Sequence, residues 1–253
     1  MKNKGLSVII VAKNEEAKIK ECLESVSWAD EIILIDTGSI DRTMDIAGKF
    51  NANIYELNEG SWDLWRSYAI KKARFEWILY VDADERVTPL LRKEIETKIK
   101  KNNQSFSAFA IPRRNIILGK EMKHGGWWPD YVKRLYKREA ITGWKGSLHE
   151  EPVFKGEMGH LINPLTHIKH ANLTEMVEKT NKWSETEAKL LYDANHPPMK
   201  WWRFVRIMLS EIWLRLIKSK GYKDGAEGII YSFYQVWSRF LTYAKLWEMQ
   251  LKN

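Results

Sequence analysis

The stretch Trp77-Ile-Leu-Tyr-Val-Asp82-Ala-Asp84-Glu85 joins an apolar run to a pair of carboxylates. Such a run is typical of a buried strand, and side chains two residues apart in a strand point the same way. Asp82 and Asp84 can therefore converge on one hard cation, which usually takes one or two carboxylates together with substrate phosphates. The stretch predicts a nucleotide site at the end of a strand.

The rest of the N-terminal half alternates between two patterns. Short apolar runs rich in β-branched residues indicate buried parallel strands, and the segments between them have helical periodicity. This βαβαβαβα order predicts a parallel sheet covered by helices on both faces, with ligands bound beyond the carboxyl ends of its strands. The predicted strands are 6–12, 31–36, 52–57 and 76–82, and the predicted helices are 14–26, 41–50, 62–74 and 88–101.

Polar clusters follow three of the predicted strands. Asn14-Glu15 follows the first, Asp36-Thr-Gly-Ser39 the second and Asp82-Ala-Asp84 the fourth. A turn or a helix N-cap would account for any one of them. Three clusters on the same edge of the sheet favour a binding site.

These clusters also carry a family resemblance. Val8-Ile-Ile-Val-Ala-Lys-Asn-Glu15, Asp36-Thr-Gly-Ser-Ile-Asp-Arg-Thr43 and Asp82-Ala-Asp84 together resemble the inverting family-2 glycosyltransferases with the GT-A fold. Later motifs are similar to the branch with the lipopolysaccharide core β-1,4-glucosyltransferases, namely Gly125-Gly-Trp-Trp-Pro-Asp130, Arg134-Leu135, Leu148-His-Glu150 and His167. The resemblance covers about residues 5–190 and implies an α/β fold with a Rossmann-like, nucleotide-sugar-binding mixed sheet and helices on both faces.

The resemblance implies a set of residues that hold a nucleotide-sugar donor. Asp36 would pair with the nucleobase, normally uracil, and Glu15 would help to hold the nucleoside. Asp82 would lie near the ribose and the metal. Arg134 would serve either the diphosphate or a surface ion pair.

The same resemblance implies a metal site and a catalytic base. Asp84 would bind Mg²⁺ or Mn²⁺ directly, and His167 would return to the metal or the diphosphate. Inversion also needs a base that takes the proton of the acceptor hydroxyl. Glu150 is the candidate base, with Glu151 and Asp130 as alternatives.

A glycine and tryptophan segment is the candidate acceptor site. Gly126 offers backbone freedom, and Trp127 and Trp128 offer flat surfaces on which a sugar can stack. His149 would orient the base or contact the acceptor. The alternative is a glycine turn with its tryptophans in the core.

The C-terminal region differs from the rest. His196-Pro-Pro marks a boundary, so we predict a catalytic domain over 1–195 and an amphipathic helical region over 196–253, with helices near 199–219 and 225–250. Residues 200–223 are rich in Lys, Arg and Trp and contain a single acid, Glu211. This pattern favours peripheral contact with an anionic membrane over nucleic acid, although the tryptophans could instead pack on the catalytic domain.

Composition is consistent with these predictions. The 253 residues carry a net charge of +8 and one cysteine, and the N-terminus does not resemble a signal peptide, so we expect a cytoplasmic protein on the inner face of the cytoplasmic membrane. The predicted partners are a nucleotide-sugar donor and a glycan or lipid-linked acceptor, without nucleic acid. Two other functions stay open: a nucleotidyltransferase, which would need a glycine-rich loop after the first strand, and a non-catalytic membrane or nucleic-acid binding module.

Overall fold

The computed structural model describes residues 3–100, 105–146 and 150–252. Its strands are β1 (Leu6–Ala12), β2 (Glu31–Asp36), β3 (Asn53–Glu56), β4 (Trp77–Tyr80), β5 (Glu85–Val87), β6 (Phe106–Ile117), β7 (Lys120–Glu121), β8 (Asp130–Lys137), β9 (Ile141–Lys145), β10 (Glu151–Phe154), β11 (Glu157–His160) and β12 (Leu165–His170). Its α-helices are α1 (Ile19–Val26), α2 (Thr43–Gly48), α3 (Trp62–Lys72), α4 (Pro89–Lys100), α5 (Leu173–Asp193), α6 (Trp201–Ile212) and α7 (Gly225–Leu251). A π-helical turn, Trp213–Lys218, continues α6, and a 3₁₀ turn, Gly221–Asp224, precedes α7.

The N-terminal strands pair as their apolar character predicts. β1 is parallel to both β2 and β4, and β2 is parallel to β3. The predicted bounds of β1 and β2 are confirmed. β4 ends earlier than predicted because the chain turns after Val81, where the Glu85 amide donates to the Asp82 carbonyl. The first helix also starts later than predicted, because Asn14 has a left-handed φ of 54° and residues 15–18 form a turn.

Helices cover both faces of this sheet. Side chains alternate along β1, so Val8 and Ile10 join one buried cluster with Leu23 of α1. Ile9 of β1 joins a second cluster with Ala69 of α3. Two separate hydrophobic cores therefore fix the sheet from opposite sides.

The sheet is mixed rather than wholly parallel. β8 runs antiparallel beside β4, and the strand order is β3-β2-β1-β4-β8-β6-β12-β5. β9 and β10 form a separate antiparallel pair. The mixed sheet with helices on both faces, expected from the resemblance to GT-A enzymes, is confirmed.

The chain divides into two compact units. Unit 1 comprises the chain up to Arg113 together with Tyr131–His167, and unit 2 comprises Arg114–Asp130 and the chain from Ile168 onward. Compactness thus places Arg114–Asp130 and α5 with the C-terminal helices, whereas the division at residue 196 stays a prediction. No helix among the described residues is both long and apolar enough to cross a membrane.

Leu34, at the centre of β2, provides a test of the core. Leu34→Ala removes a fully buried side chain, and we expect a loss of about 2–5 kcal/mol of stability because the cavity cannot fully collapse. The urea midpoint measures this loss. Ile40→Ala is the control, since Ile40 is 93% exposed, and an equal loss in both variants would contradict the assigned core.

Candidate functional site

The carboxyl edge of the parallel strands in unit 1 carries the predicted polar clusters. The loops after β1 and β2 are tied together, because the Asn14 amide donates to Ser39 Oγ at 2.9 Å and the Ile40 amide donates to Asn14 Oδ1 at 2.8 Å. The Glu15 amide donates to Thr43 Oγ1 at 2.8 Å. Glu15 is therefore fixed beside the loop that follows Asp36.

Asp36 is buried at the end of β2. Its Oδ2 accepts from the amides of Gly38 at 3.0 Å and Ser39 at 2.9 Å. Gly38 has a φ of 94°, a conformation that suits glycine and lets both amides face the carboxylate. Asp36 Oδ1 is buried and has no hydrogen-bond partner among the described residues. An N–H group of a ligand is the kind of donor that this oxygen lacks.

Asp82 is held by two arginines. Arg66 donates to Asp82 Oδ1 at 3.0 Å, and Arg134 donates to both carboxylate oxygens of Asp82. Burial alone raises the pKa of Asp82, but the positive charges of Arg134 and Arg66 hold it well below its usual range. Asp82 is therefore a permanent anion whose oxygens are already engaged by cations.

Arg134 also bridges to a second carboxylate. It donates to Glu85 Oε1 at 2.8 Å, and Arg113 lies 3.6 Å from the same oxygen. Glu85 and Arg134 are both buried, and Glu85 Oε2 in turn accepts from the Asp82 amide at 3.1 Å. The structure thus places Arg134 beneath the Asp82 loop, in a buried network rather than in a surface ion pair.

The guanidinium of Arg66 lies among aromatic rings. Its central carbon is 4.6 Å from the ring centre of Trp144 and 5.8 Å from that of Tyr80. Arg66 is itself buried. Sequence reasoning missed Trp144 and Glu85 as parts of the site, and the only local signal was the position of Glu85 directly after Asp84.

Asp84 and His167 face each other. β12 pairs antiparallel with β5 so that His167 lies opposite Glu85, and His167 Nε2 is 3.5 Å from Asp84 Oδ2. Burial alone raises the pKa of Asp84, but the hydrogen bond and charge of His167 outweigh burial, and the pKa lies below its ordinary value. An ionised carboxylate beside an imidazole is a donor set that fits a divalent cation.

These two side chains leave most of a metal's coordination positions to other ligands. No group of three or more His, Cys, Asp or Glu among the described residues could hold a metal ion. Mg²⁺ commonly takes one or two carboxylates and fills its other positions with waters and substrate phosphates. The pair formed by Asp84 and His167 fits a cation that is completed by a diphosphate.

The two candidate bases, Glu150 and Glu151, differ in environment. Burial raises the pKa of Glu150 above its ordinary value, although the positive charge of Arg66 acts in the opposite direction. The side chain of Glu151 is 69% exposed and pairs with Lys133. The structure thus separates two chemically identical neighbours. The candidate His149 lies outside the described residues, and the alternative base Asp130 accepts a hydrogen bond from Asn115 at 3.1 Å.

The predicted acceptor segment belongs to unit 2. Gly125 and Gly126 have φ values of 66° and 86°, as a tight glycine turn requires. Trp127 is partly buried, with its ring centre 5.0 Å from that of Tyr231, whereas Trp128 is 43% exposed. Trp128 therefore offers a free stacking surface, and Trp127 acts mainly in packing.

The C-terminal turns fasten this segment within unit 2. The Gly125 amide donates to the Ser219 carbonyl at 2.8 Å, and Arg215 donates to the Gly125 carbonyl at 3.2 Å. Asp224 Oδ2 accepts from the amides of Lys123 at 3.0 Å and His124 at 2.7 Å. The glycine turn is thus built on the segment that joins α6 to α7.

Comparisons with known proteins agree with this geometry. Residues 7–154 match the family model described as glycosyl transferase family 2. The chain is 27% identical to an uncharacterized glycosyltransferase of Rickettsia typhi, covering 99% of this chain and 89% of that protein. It is 26% identical to the lipopolysaccharide core biosynthesis glycosyltransferase LpsC of Rhizobium meliloti, covering 96% of this chain and 92% of LpsC.

The solved structures that resemble this chain have lower sequence identity to it than these relatives. Glucosyl-3-phosphoglycerate synthase from Mycobacterium tuberculosis, in complex with Mn²⁺, UDP and glucosyl-3-phosphoglycerate, is 14% identical with a TM-score of 0.48, covering 77% of this chain and 81% of that one. S. aureus TarS 1-349 in complex with UDP is 14% identical with a TM-score of 0.46, covering 88% of this chain and 74% of that one.

Arg134→Ala tests whether the buried network holds the site together. The change leaves Asp82 and Glu85 without their shared cation, and we expect a loss of about 3–5 kcal/mol in unfolding free energy. Urea unfolding measures the loss. The matched control is Lys133→Ala, which removes the neighbouring exposed pair with Glu151 and should cost less than about 1 kcal/mol. Equal losses would mean that the network does not stabilise the site.

Proposed function

The chain belongs to glycosyltransferase family 2, and we propose that it moves a hexose from UDP-glucose, or a related nucleotide sugar, to a glycan or glycolipid acceptor with inversion at the anomeric carbon. Family membership favours glycosyl transfer over nucleotidyl transfer and over a non-catalytic binding module. The observation that carries the proposal is the placement of Asp36 after β2 and of Asp82 and Asp84 after β4, the two strands on either side of β1, with His167 facing Asp84.

Asp36 and Glu15 would hold the nucleoside. The unpartnered Oδ1 of Asp36 can accept the ring N–H of uracil, and the loop amides already fix the orientation of this carboxylate. Glu15 lies beside the same loop. Asp82, fixed by Arg66 and Arg134, would contact the ribose, and Arg134 would act on the donor by holding Asp82 in place.

Asp84 and His167 would hold Mg²⁺ or Mn²⁺ together with the donor diphosphate. Such an ion neutralises the negative charge that develops on a departing nucleoside diphosphate. The charged residues around the proposed metal site have a separate task, which is to balance charge. The arginines around Asp82 and Glu85 balance the carboxylates of this edge, so that a further anion can bind there.

Glu150 would act as the catalytic base. It takes the proton of an acceptor hydroxyl, the hydroxyl oxygen forms a bond to the anomeric carbon, and the bond from that carbon to the diphosphate oxygen breaks with its electron pair leaving on the diphosphate. An α-linked donor then gives a β-linked product. The raised pKa of Glu150 brings its basicity closer to the pH of the cell, as a general base needs.

A glycan that carries a lipid, such as the lipopolysaccharide core, is the proposed acceptor. Similarity to LpsC, which is named for lipopolysaccharide core biosynthesis, supports this class of acceptor. Trp128 and Gly126 would contact the acceptor sugar, and Trp127 would hold this segment in place by packing on Tyr231. His149, the sequence neighbour of Glu150, would orient the base or contact the acceptor. We also propose that the enzyme works as a peripheral protein at the inner face of the cytoplasmic membrane.

Removal of a proposed metal ligand should abolish use of the donor. We expect the wild type, incubated with Mn²⁺ or Mg²⁺ and a panel of nucleotide sugars without acceptor, to release nucleotide slowly from one donor. Asp84→Ala and His167→Ala should lose this release and bind the donor no better with metal than without it, because the diphosphate then lacks its shared cation. Metal-independent release that survives in both variants would contradict the proposed site.

Replacement of the proposed base should separate binding from chemistry. Glu150→Gln should keep donor binding, measured by calorimetry, and lose at least a hundredfold in nucleotide release. Glu151→Gln is the matched control and should behave like the wild type, because Glu151 is exposed. The reverse pattern would move the base to Glu151.

The pH dependence offers a second test of Glu150. A base works only when it is deprotonated, so activity falls as the pH drops through its pKa. Because the pKa of Glu150 is raised, the acidic limb of kcat/KM should lie above the ordinary value of about 4.3. A limb at or below that value in both the wild type and Glu151→Gln would contradict the role.

A further inference from the structure

We propose that the outer face of α6 and its π-helical turn is the surface on which this protein docks to an anionic membrane, with the helix lying in the plane of the interface. The purpose of such docking rests on the proposed function, which supplies a lipid-linked acceptor. The surface itself lies wholly within unit 2. We call it the outer row and define it as Trp201, Val205, Leu209, Trp213 and Ile217, together with Trp202.

The outer row is a continuous set of large exposed apolar side chains. Its members other than Trp202 recur every four residues, and Trp201 is 78% exposed, while Leu209 and Ile217 are each 61% exposed. Single exposed apolar residues are common on soluble proteins, but a contiguous patch marks a surface that binds another apolar surface. Trp201, Trp202, Val205, Leu209 and Trp213 also line one open surface pocket.

The π-helical turn keeps this row on one face. An α-helix has about 3.6 residues per turn, so residues spaced by four drift by roughly 40° around the axis at each step. A π-helical turn bonds residue i to residue i+5, as in the 2.9 Å bond from the Ser219 amide to the Leu214 carbonyl. It holds more residues per turn, so the step from Trp213 to Ile217 drifts the other way. The wider turn therefore returns Ile217 towards the line of the row.

The inner face of the same helix already has its partners. Phe204 packs on Phe240 of α7 with ring centres 5.7 Å apart, and Ile207 packs against the cluster of Ala188 and Leu246. Arg215 holds the Gly125 carbonyl. These residues therefore pack α6 within unit 2, and the outer row takes no part in that packing.

Charge identifies the occupant of this face. Residues 200–223 contain seven Lys and Arg side chains and one acid, Glu211, and that acid is engaged by Arg215 at 3.3 Å and Arg239 at 3.7 Å. Arg203 and Arg206 lie 4.8 and 5.7 Å from the ring centre of Trp202. Cations interleaved with tryptophans match anionic headgroups above an apolar layer.

A second copy of the chain fits this face less well. A two-fold interface would place the same surface of both copies together, and the cations around the row would then face one another. Anionic lipid instead supplies the opposite charge and accepts the apolar side chains. Tryptophan is also favoured at the boundary between headgroups and acyl chains, because its ring is apolar and its N–H is polar.

Vesicle binding by the full-length protein tests the proposal. We expect it to sediment with vesicles that contain phosphatidylglycerol, to bind vesicles of phosphatidylcholine alone much more weakly, and to be released by salt. The combined variant Trp201→Ser, Leu209→Ser and Ile217→Ser should lose roughly tenfold or more of this binding, since binding scales with buried apolar area. Lys200→Gln with Arg206→Gln and Lys218→Gln should lose the preference for the anionic lipid.

A matched control makes equivalent changes elsewhere on unit 2. Leu173→Ser with Trp183→Ser and Leu190→Ser alters three exposed side chains of α5 and should leave vesicle binding unchanged. Equal loss in the control, or binding that ignores lipid charge, would overturn the proposal. Sedimentation velocity gives a second outcome that would overturn the proposal. If the wild type is a dimer and the combined variant Trp201→Ser, Leu209→Ser and Ile217→Ser is a monomer, the face joins two copies of the chain. Nucleotide release without acceptor, measured on the same preparations, reports separately on the proposed function.

Discussion

Balancing buried charge is the constraint on which this structure depends. Asp82, Asp84 and Glu85 lie within one stretch of four residues, so their carboxylates would repel one another at a sheet edge where Glu85 is fully buried and the two aspartates are partly buried. Arg134 and Arg66 surround Asp82, and His167 meets Asp84. These three partners come from β8, α3 and β12, so the acidic loop reaches a stable arrangement only when the whole sheet is assembled. Folding and the formation of the site are therefore one event.

The same balance places carboxylates of identical chemistry in different surroundings. Asp82 is engaged by guanidinium groups, whereas Asp84 meets an imidazole that can share a cation with it. Glu150 is partly buried, whereas Glu151 pairs with a lysine at the surface. Environment, rather than residue type, distinguishes these carboxylates, and the proposed roles of positioning group, metal ligand and base follow that difference.

The sequence was informative where the relevant physics is local. Apolar runs predicted β1 and β2 with correct bounds. The alternating order of strands and helices predicted that Asp36 and Asp82 would lie at the same edge of the sheet. It failed where partners are distant in the chain: nothing near Asp82 indicated that Arg134 would bridge it to Glu85, or that Trp144 would cover Arg66. The packing of Trp127 against Tyr231 likewise depends on residues about a hundred positions away. The predicted roles of the site residues rest on the resemblance and stay predictions.

The helix formed by α6 and its π-helical turn has one side that is packed and one side that is exposed. Arg215 on one side holds the glycine turn of Gly125, and the outer row lies on the other side. A bilayer that receives the outer row therefore carries the glycine turn at a fixed height, about one helix diameter or roughly 10–12 Å above it. In the proposed docking, the helix would work as a spacer that sets how far a lipid-linked glycan must extend from the bilayer to reach the glycine turn.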